Sequence, residues 1–184
     1  MAQQATPSSL HQFFGNMTRK SFAELWIWDE TVIDYLAEML ARFARSENLY
    51  RIKRMTGERL ETVVEMLIEI NRPLDLEGLA DKSPVWERTV RQHIGDYTMF
   101  MVGIFRENVE RRGVISYYMT EGPKAYRSVS ELDRLLYRPG AALFEKLSRD
   151  FEYLTGALTY MKKVHFRSAA SGGPYGDIFG ILSE

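Results

Sequence analysis

Three residues whose side chains could perform chemistry lie close together in the sequence: Arg88, His93 and Asp96. His93 and Asp96 are three residues apart, so on a helix they would share one face and could form a hydrogen-bonded acid and base pair. The structural alternative is that Asp96, at the mouth of an apolar run, bonds Tyr, Arg or backbone groups, because burying an unpaired carboxylate is costly. These three residues are the candidate catalytic residues.

Arg88 and His93 stand with four residues between them in the sequence RTVRQH. This spacing resembles the Arg-x4-6-His motif of HEPN-type ribonucleases, which are also small all-α proteins, and the resemblance implies that Arg88 and His93 would act on a scissile phosphate. It covers only these few residues, and Thr89 stands where the motif has a polar amide or an acid. The structural alternative is a histidine that is hydrogen-bonded at the edge of the core.

The run from Leu74 to Ile94 is similar to a helix-turn-helix, in which a short helix and a turn precede a recognition helix. Four residues fit the apolar positions of the two helices: Leu79, Ala80, Val85 and Val90. The turn departs from the pattern, because Pro84 stands where a glycine is usual, and Ser83 and His93 stand where apolar residues are usual. DNA binding is therefore one alternative function, and an exposed basic surface over residues 86–92 would favour it.

The sequence predicts no metal site and no cofactor. The three histidines, His11, His93 and His165, lie in separate regions, and the acidic residues show no Glu-x-x-His motif of the di-iron bundles. The absence of cysteine excludes disulfides, thiolate nucleophiles and cysteine-ligated zinc. The chain has ten Tyr, ten Phe and three Trp, which could line a pocket for a small apolar ligand or, as aromatic residues at helical spacing more often do, form the core.

The candidate residues lie on a segment, Ser83–Gly113, that reads as one helix. Ser83 can cap its start, Pro84 suits the first turn, and Gly113 can supply a left-handed stop. The part YTMFMVGIF is apolar on nearly every face, which predicts a helix surrounded by others. Asp96 and Arg106 bracket this run, so it is far shorter than the roughly 20 residues that span a bilayer.

Apolar residues at helical spacing predict further helices on both sides of this segment. The predicted fold class is all-α: a single-domain helical bundle of about five or six main helices around a long buried central helix. The predicted boundaries are a disordered N-terminus at 1–9, a helical domain at 10–167, and a flexible tether with an apolar tail at 168–184. We expect four tail residues to dock into an apolar groove on this chain or a neighbour: Ile178, Phe179, Ile181 and Leu182.

Two local signals predict helix boundaries. Ser21 and Glu24 fit a capping box, which predicts that a helix begins at Phe22. Asp29 can interrupt this helix and divide it into a short helix and then a longer one. Gly122 and Pro123 predict a break, because proline removes a backbone donor and clashes with the preceding turn. The sequence therefore places one helix start and one helix end at these positions.

The last long helix is predicted to begin at Pro139–Gly140 and to end near His165. Leu154 and Leu158 lie on its apolar stripe, so we expect both in the main core. Gly103 interrupts the apolar run of the central segment, and glycine inside a helix costs about 1 kcal/mol relative to alanine. We therefore expect another helix to cross closely at Gly103.

Charge is nearly balanced over the whole chain, with a formal net charge of −1 and a pI of about 6.3. This balance gives no global field for nucleic acid or an anionic membrane, and we expect neither as a partner. Locally, residues 42–59 contain six basic and two acidic residues, a balance of +4, and residues 61–77 contain one basic and five acidic, a balance of −4. Such stretches are either solvated helix faces or, for the basic one, an anion or partner site.

The function that the sequence favours is that of a soluble, non-catalytic helical protein that acts by association, as a homo-oligomer. The support is the lack of a catalytic signature and the surplus apolar surface of the tail. The alternatives are a ligand-binding or enzymatic bundle that uses His93 and Asp96, a HEPN-like RNase, and a DNA-binding protein. The N-terminus lacks the basic start and apolar stretch of a secretory signal, so the expected location is cytoplasmic.

Overall fold

The structure, a computed structural model, describes residues 7–44, 62–71 and 83–169. These residues form helices and no strands, so the all-α prediction is confirmed. The helices of this described part are α1 (Pro7–Glu24), α2 (Glu30–Phe43), α3 (Val63–Asn71), α4 (Pro84–Ile104), α5 (Arg106–Arg111), α6 (Ile115–Leu135), α7 (Ala141–Arg149) and α8 (Phe151–Ala169). None of them combines the length and the apolarity that crossing a bilayer requires.

Helix α4 lies against α2, α3, α6 and α8, and its second half is almost entirely buried. One large hydrophobic cluster is formed by residues of α1, α2, α4, α6, α7 and α8. A smaller cluster packs α3 against the first half of α4 and against α6. The candidate residue Asp96 therefore lies on a helix with neighbours on several sides.

The segment predicted as one helix over Ser83–Gly113 is divided at Phe105. Ser83 caps α4 as expected, since its hydroxyl accepts a hydrogen bond from the Trp86 amide. At Phe105 the backbone leaves helical geometry, with φ −110° and ψ 32°, and the Phe105 ring packs edge-on against Phe100 at 5.6 Å. Packing of this ring onto the core is our explanation for the bend, which local helix propensity could not reveal.

The predicted helix start at Phe22 is wrong, because α1 already begins at Pro7 and continues to Glu24. The start lies inside the stretch 1–9 that was expected to be disordered; residues 1–6 lie outside the described part. The interruption expected at Asp29 is present, because Asp29 caps α2 and its carboxylate accepts hydrogen bonds from the amides of Thr31 and Val32. A side chain that caps a helix in this way satisfies donors that the helix leaves free.

The predicted break at Gly122–Pro123 is also wrong, since α6 continues through both residues. Gly122 has no side chain, and an added Cβ there would overlap Phe151 and Thr98, so close packing of three helices holds this part of α6 in place. Ser148 donates a hydrogen bond of 2.8 Å to the Pro123 carbonyl. Tertiary packing thus overrides a residue that disfavours helix interiors.

The last long helix is divided in two at Asp150, and α8 continues to Ala169. Leu154 and Leu158 of α8 are buried, which confirms their place in the core. Gly103 meets this helix, because a Cβ on Gly103 would lie 2.7 Å from the Cβ of Leu158. The predicted helix crossing at Gly103 is therefore confirmed.

Other predictions fall partly or wholly outside the described part. In α3, Val63 and Met66 are buried, whereas Val64 is exposed. Most of the basic stretch 42–59 and the whole tail after residue 169 lie outside the described residues, so their predicted roles stay predictions.

Candidate functional site

A buried carboxylate joins three helices. Asp96 of α4, whose side chain is 2% exposed, accepts hydrogen bonds from Tyr35 Oη of α2 at 2.5 Å and from Tyr126 Oη of α6 at 2.9 Å, both on Oδ1. Arg42 of α2 donates from Nη2 to Oδ2 at 2.8 Å. Asp96 thus bonds tyrosine and arginine side chains, which was the structural alternative to a catalytic role.

The hydrogen bonds continue along one face of α4. Gln92 donates from Nε2 to Tyr35 Oη at 3.1 Å, and Arg88 donates from Nη1 to Gln92 Oε1 at 2.8 Å. Arg88 also binds both carboxylate oxygens of Asp133 on α6, whose side chain is fully buried. Because residues 88, 92 and 96 are spaced by four, they share a helix face and form one polar stripe.

Burial dominates the electrostatics of this network. It raises the pKa of Asp96, and the Arg42 guanidinium and the two tyrosine hydroxyls offset only part of this effect. The pKa values of Tyr35 and Tyr126 lie well above 10, because burial and the neighbouring Asp96 carboxylate both oppose the phenolate. The tyrosines therefore stay neutral donors at physiological pH, and their hydrogen bonds to Asp96 connect α2 and α6 to α4.

His93, the third candidate residue, contacts two aromatic rings. Its ring is buried, packs edge-on against Phe43 at a centroid distance of 5.7 Å, and lies 6.4 Å from the Tyr97 ring. The guanidinium of Arg88 instead lies over the Phe144 ring at 5.3 Å. The ring contacts of His93 and the contacts of Arg88 thus involve different residues, and the pair expected from the ribonuclease resemblance stays a prediction.

Arg88 and Asp96 are connected through Gln92 and Tyr35, and sequence reasoning missed most of this network. The four-residue spacing of Arg88, Gln92 and Asp96 could have revealed the stripe on α4. The partners Tyr35, Arg42, Tyr126 and Asp133 gave no local signal, because they lie 30 to 61 positions from the residues that they bind.

Among the described residues, no group of three or more potential ligands could hold a metal ion. Residues 86–92, where an exposed basic surface would favour DNA binding, are each partly or wholly buried.

A second feature, on the surface, is the connection between α1 and α2. We call residues 25–28 the tryptophan turn, because Trp26 is 82% exposed and Trp28 is 64% exposed. Trp26 has a φ of 60°, which is the left-handed region. The amide of Trp26 donates to the Ala23 carbonyl at 3.1 Å and that of Ile27 to the Phe22 carbonyl at 2.9 Å, which is the Schellman pattern of a helix end.

The same helix end recurs twice in the chain, with a different residue in the left-handed position. At the end of α5, Gly113 has a φ of 70°, and glycine is the usual residue there. At the end of α6, Tyr137 has a φ of 53° and is 97% exposed. A side chain with a Cβ in this conformation costs roughly 1–2 kcal/mol, so Trp26 and Tyr137 are strained where Gly113 is not.

Contacts on both sides fix the tryptophan turn. Asp29 accepts hydrogen bonds from the first turn of α2 and forms an ion pair with Lys146 of α7. Tyr153 of α8 donates from its hydroxyl to the Leu25 carbonyl at 2.5 Å. The chain thus presents two exposed indole rings on a turn that is bonded to three helices.

Comparisons with protein-family models, curated proteins and solved structures find no match to this chain. The class that the fold and the two features define is an all-α protein with a buried polar network inside and an exposed aromatic turn outside. Its function must be argued from these residues.

Proposed function

We propose that this protein is non-catalytic and acts by association with a second copy of itself, through the tryptophan turn. The observation that carries the proposal is Trp26, an 82% exposed tryptophan in a left-handed position that favours glycine. Backbone strain of this kind persists only where the surrounding structure imposes it, and it clusters at functional positions. Trp26 gains almost no burial within its own chain that could offset the strain.

The chemistry of the turn suits an interface. Tryptophan is enriched among the residues that contribute most to binding energy, because it buries a large apolar ring and can donate one hydrogen bond. Trp26 and Trp28 are two residues apart, so both rings can enter one contact. The bonds that fix the turn lower the entropy lost on binding, which favours affinity.

A non-catalytic role is supported by the hydrogen bonds of two interior carboxylates. Asp96 has three donors and Asp133 a bidentate arginine, so neither offers a free oxygen as a general base. The near-zero net charge of −1 also supports self-association, because it provides little repulsion between copies.

The test is Trp26→Gly, for which we expect self-association to weaken and stability to rise. Glycine removes the strain of roughly 1–2 kcal/mol, but it also increases the freedom of the unfolded chain, which lowers stability by about 0.4–1 kcal/mol. The net gain in stability should therefore be about 0.5–1 kcal/mol. Sedimentation velocity over a concentration series measures the association, and urea denaturation measures the stability.

The matched control is Tyr137→Gly, which relieves the same strain at the end of α6. It should gain similar stability and leave self-association unchanged. A wild-type protein that stays monomeric at every concentration, or a Trp26→Gly variant that associates like the wild type, would refute the proposal.

A further inference from the structure

A groove lies between α6 and α7, with a volume of about 510 Å3. We call it the arginine groove, because Arg127, Arg134 and Arg149 line it, together with two serines and two glutamates. This volume is within the range of about 300–1,000 Å3 that is common for pockets binding small molecules. The groove is therefore large enough to admit an aromatic side chain.

The arginines of this groove are available to a partner. Arg127 is exposed and forms no ion pair with the residues that the structure describes. Arg134 pairs with Glu145, and Arg149 with Asp150, but these side chains are between 40% and 67% exposed. Ion pairs at such exposure contribute little, so their guanidinium groups can turn towards a new partner at small cost.

The serines keep the shape of the groove. Ser130 donates a hydrogen bond of 2.8 Å to the Ala141 carbonyl, and Ser148 donates one of 2.8 Å to the Pro123 carbonyl. Both bonds connect α6 with α7 across the groove. The groove thus belongs to a fixed pair of helices and would not have to form on binding.

We propose that the tryptophan turn of one copy binds in the arginine groove of a second copy. This inference rests on the proposed function and names the surface that receives the turn. An arginine guanidinium stacks favourably on an indole ring, so Trp26 or Trp28 would lie against Arg127.

Charge also matches between the two surfaces. Residues 24–34 carry four acidic residues and no basic one, which gives 0 − 4 = −4 when, as for the groove, only the residues of the surface itself are counted. The groove lining carries three arginines and two glutamates, which gives 3 − 2 = +1. Opposite signs favour the encounter and set the orientation of the complex.

The occupant is a second copy because the turn does not fill the groove of its own chain. Trp26 and Trp28 stay exposed within their own molecule. On α7, Lys146 pairs with Asp29 beside the turn, whereas Glu145, Ser148 and Arg149 line the groove. Neither indole ring is therefore buried in the groove of its own chain.

The experiment uses two variants of the full chain, each of which keeps one surface intact. Arg127→Glu reverses an exposed charge of the groove and keeps the turn, and Trp26→Gly removes the turn and keeps the groove. Alone, each should self-associate at least tenfold more weakly than the wild type. Mixed in equal amounts with one variant fluorescently labelled, they should form a one-to-one complex in sedimentation velocity, because each pair holds one intact turn and one intact groove.

The control is Lys163→Glu, which makes the same charge reversal at an exposed position on α8 and should associate like the wild type. An Arg127→Glu variant that associates normally, or a mixture that forms no complex, would overturn this inference. If Trp26→Gly still weakens association in that case, the proposed function stands and another surface receives the turn. If Trp26→Gly has no effect, the proposed function fails as well.

Discussion

Replacing Gly103 by alanine perturbs the closest approach between α4 and α8. The added Cβ would lie 2.7 Å from Leu158 Cβ and 2.9 Å from Leu158 Cδ1. The Cδ1 atom can move with the side chain, but the Cβ atom is attached to the backbone and cannot rotate away. Thr159 also donates a hydrogen bond of 2.9 Å to the Gly103 carbonyl, so the two helices are bonded at the same point.

The magnitude follows from two opposing terms. Overpacking a well-packed core costs typically about 1–3 kcal/mol, and alanine returns up to about 1 kcal/mol of helix propensity. Because the clash can be relieved only by separating the helices, we expect the upper part of the first range. The net loss of stability should be about 1–2 kcal/mol, which for a chain of this size lowers the melting temperature by about 2–8 °C.

Urea denaturation of Gly103→Ala beside Gly156→Ala measures this loss with a matched control. Gly156 lies on the facing helix α8, where an added Cβ meets nothing within 4 Å. Alanine there should therefore stabilise, by up to about 1 kcal/mol. If both variants were stabilised alike, the close crossing of α4 and α8 would be refuted.

Three further predictions concern the core and its ion pairs. Leu158→Ala should cost about 2–5 kcal/mol in urea denaturation, and a loss under about 0.5 kcal/mol would contradict its burial. The Lys146 ammonium, by its hydrogen bond, lowers the pKa of Asp29 to about 2 from 3.8, so this carboxylate stabilises the fold above pH 3.8 and loses its effect as the pH falls towards 2. Because the side chains of Asp29 and Lys146 are 33% and 41% exposed, Asp29→Asn should lower the stability by only about 1 kcal/mol at pH 7. Denaturation at a series of pH values should show a smaller difference between wild type and variant near pH 2. A difference that stays the same would refute the prediction. Arg88→Met should lower the stability by about 3–5 kcal/mol, because it leaves Asp133 buried without its partner. The double variant that also carries Asp133→Leu should recover much of that loss. A double variant as unstable as the single one would contradict the ion pair.

Local patterns in the sequence located much of the helical structure. The cap at Ser83, the left-handed glycine at Gly113, and the buried leucines of α8 could all be predicted, because each depends on neighbours within a turn or two. The close approach at Gly103 was also predictable, since glycine in an apolar helix needs a reason. These features are the ones that periodicity and capping chemistry report directly.

The tryptophan turn could not be predicted for a definite reason. A left-handed helix end is normally indicated by glycine, but here the position holds Trp26. Asp29 indicated an interruption nearby, whereas nothing local indicated that α1 already begins at Pro7, and the helix start was misplaced at Phe22. The site was missed for a different reason. Asp96 was singled out correctly as needing partners, but which tyrosine and arginine reach it depends on how α2 and α6 pack on α4. That arrangement is set by the whole core.

The polar stripe of α4 also bears on how the scaffold holds its shape. Arg88 meets Asp133 and Asp96 meets Tyr126, so residue numbers rise along α4 as they fall along α6, and the helices are antiparallel. Sliding α6 by one turn would bring Val129 or Tyr137 opposite Arg88 and leave the Asp133 carboxylate buried without its guanidinium. Buried ion pairs contribute little to stability over apolar residues, but they penalise a wrong register strongly. We infer that the network selects the register of α6 on α4. A test is the double variant that replaces Arg88 and Asp133 by apolar residues: it should stay folded but show broadened NMR signals along α6, and sharp signals would count against the inference.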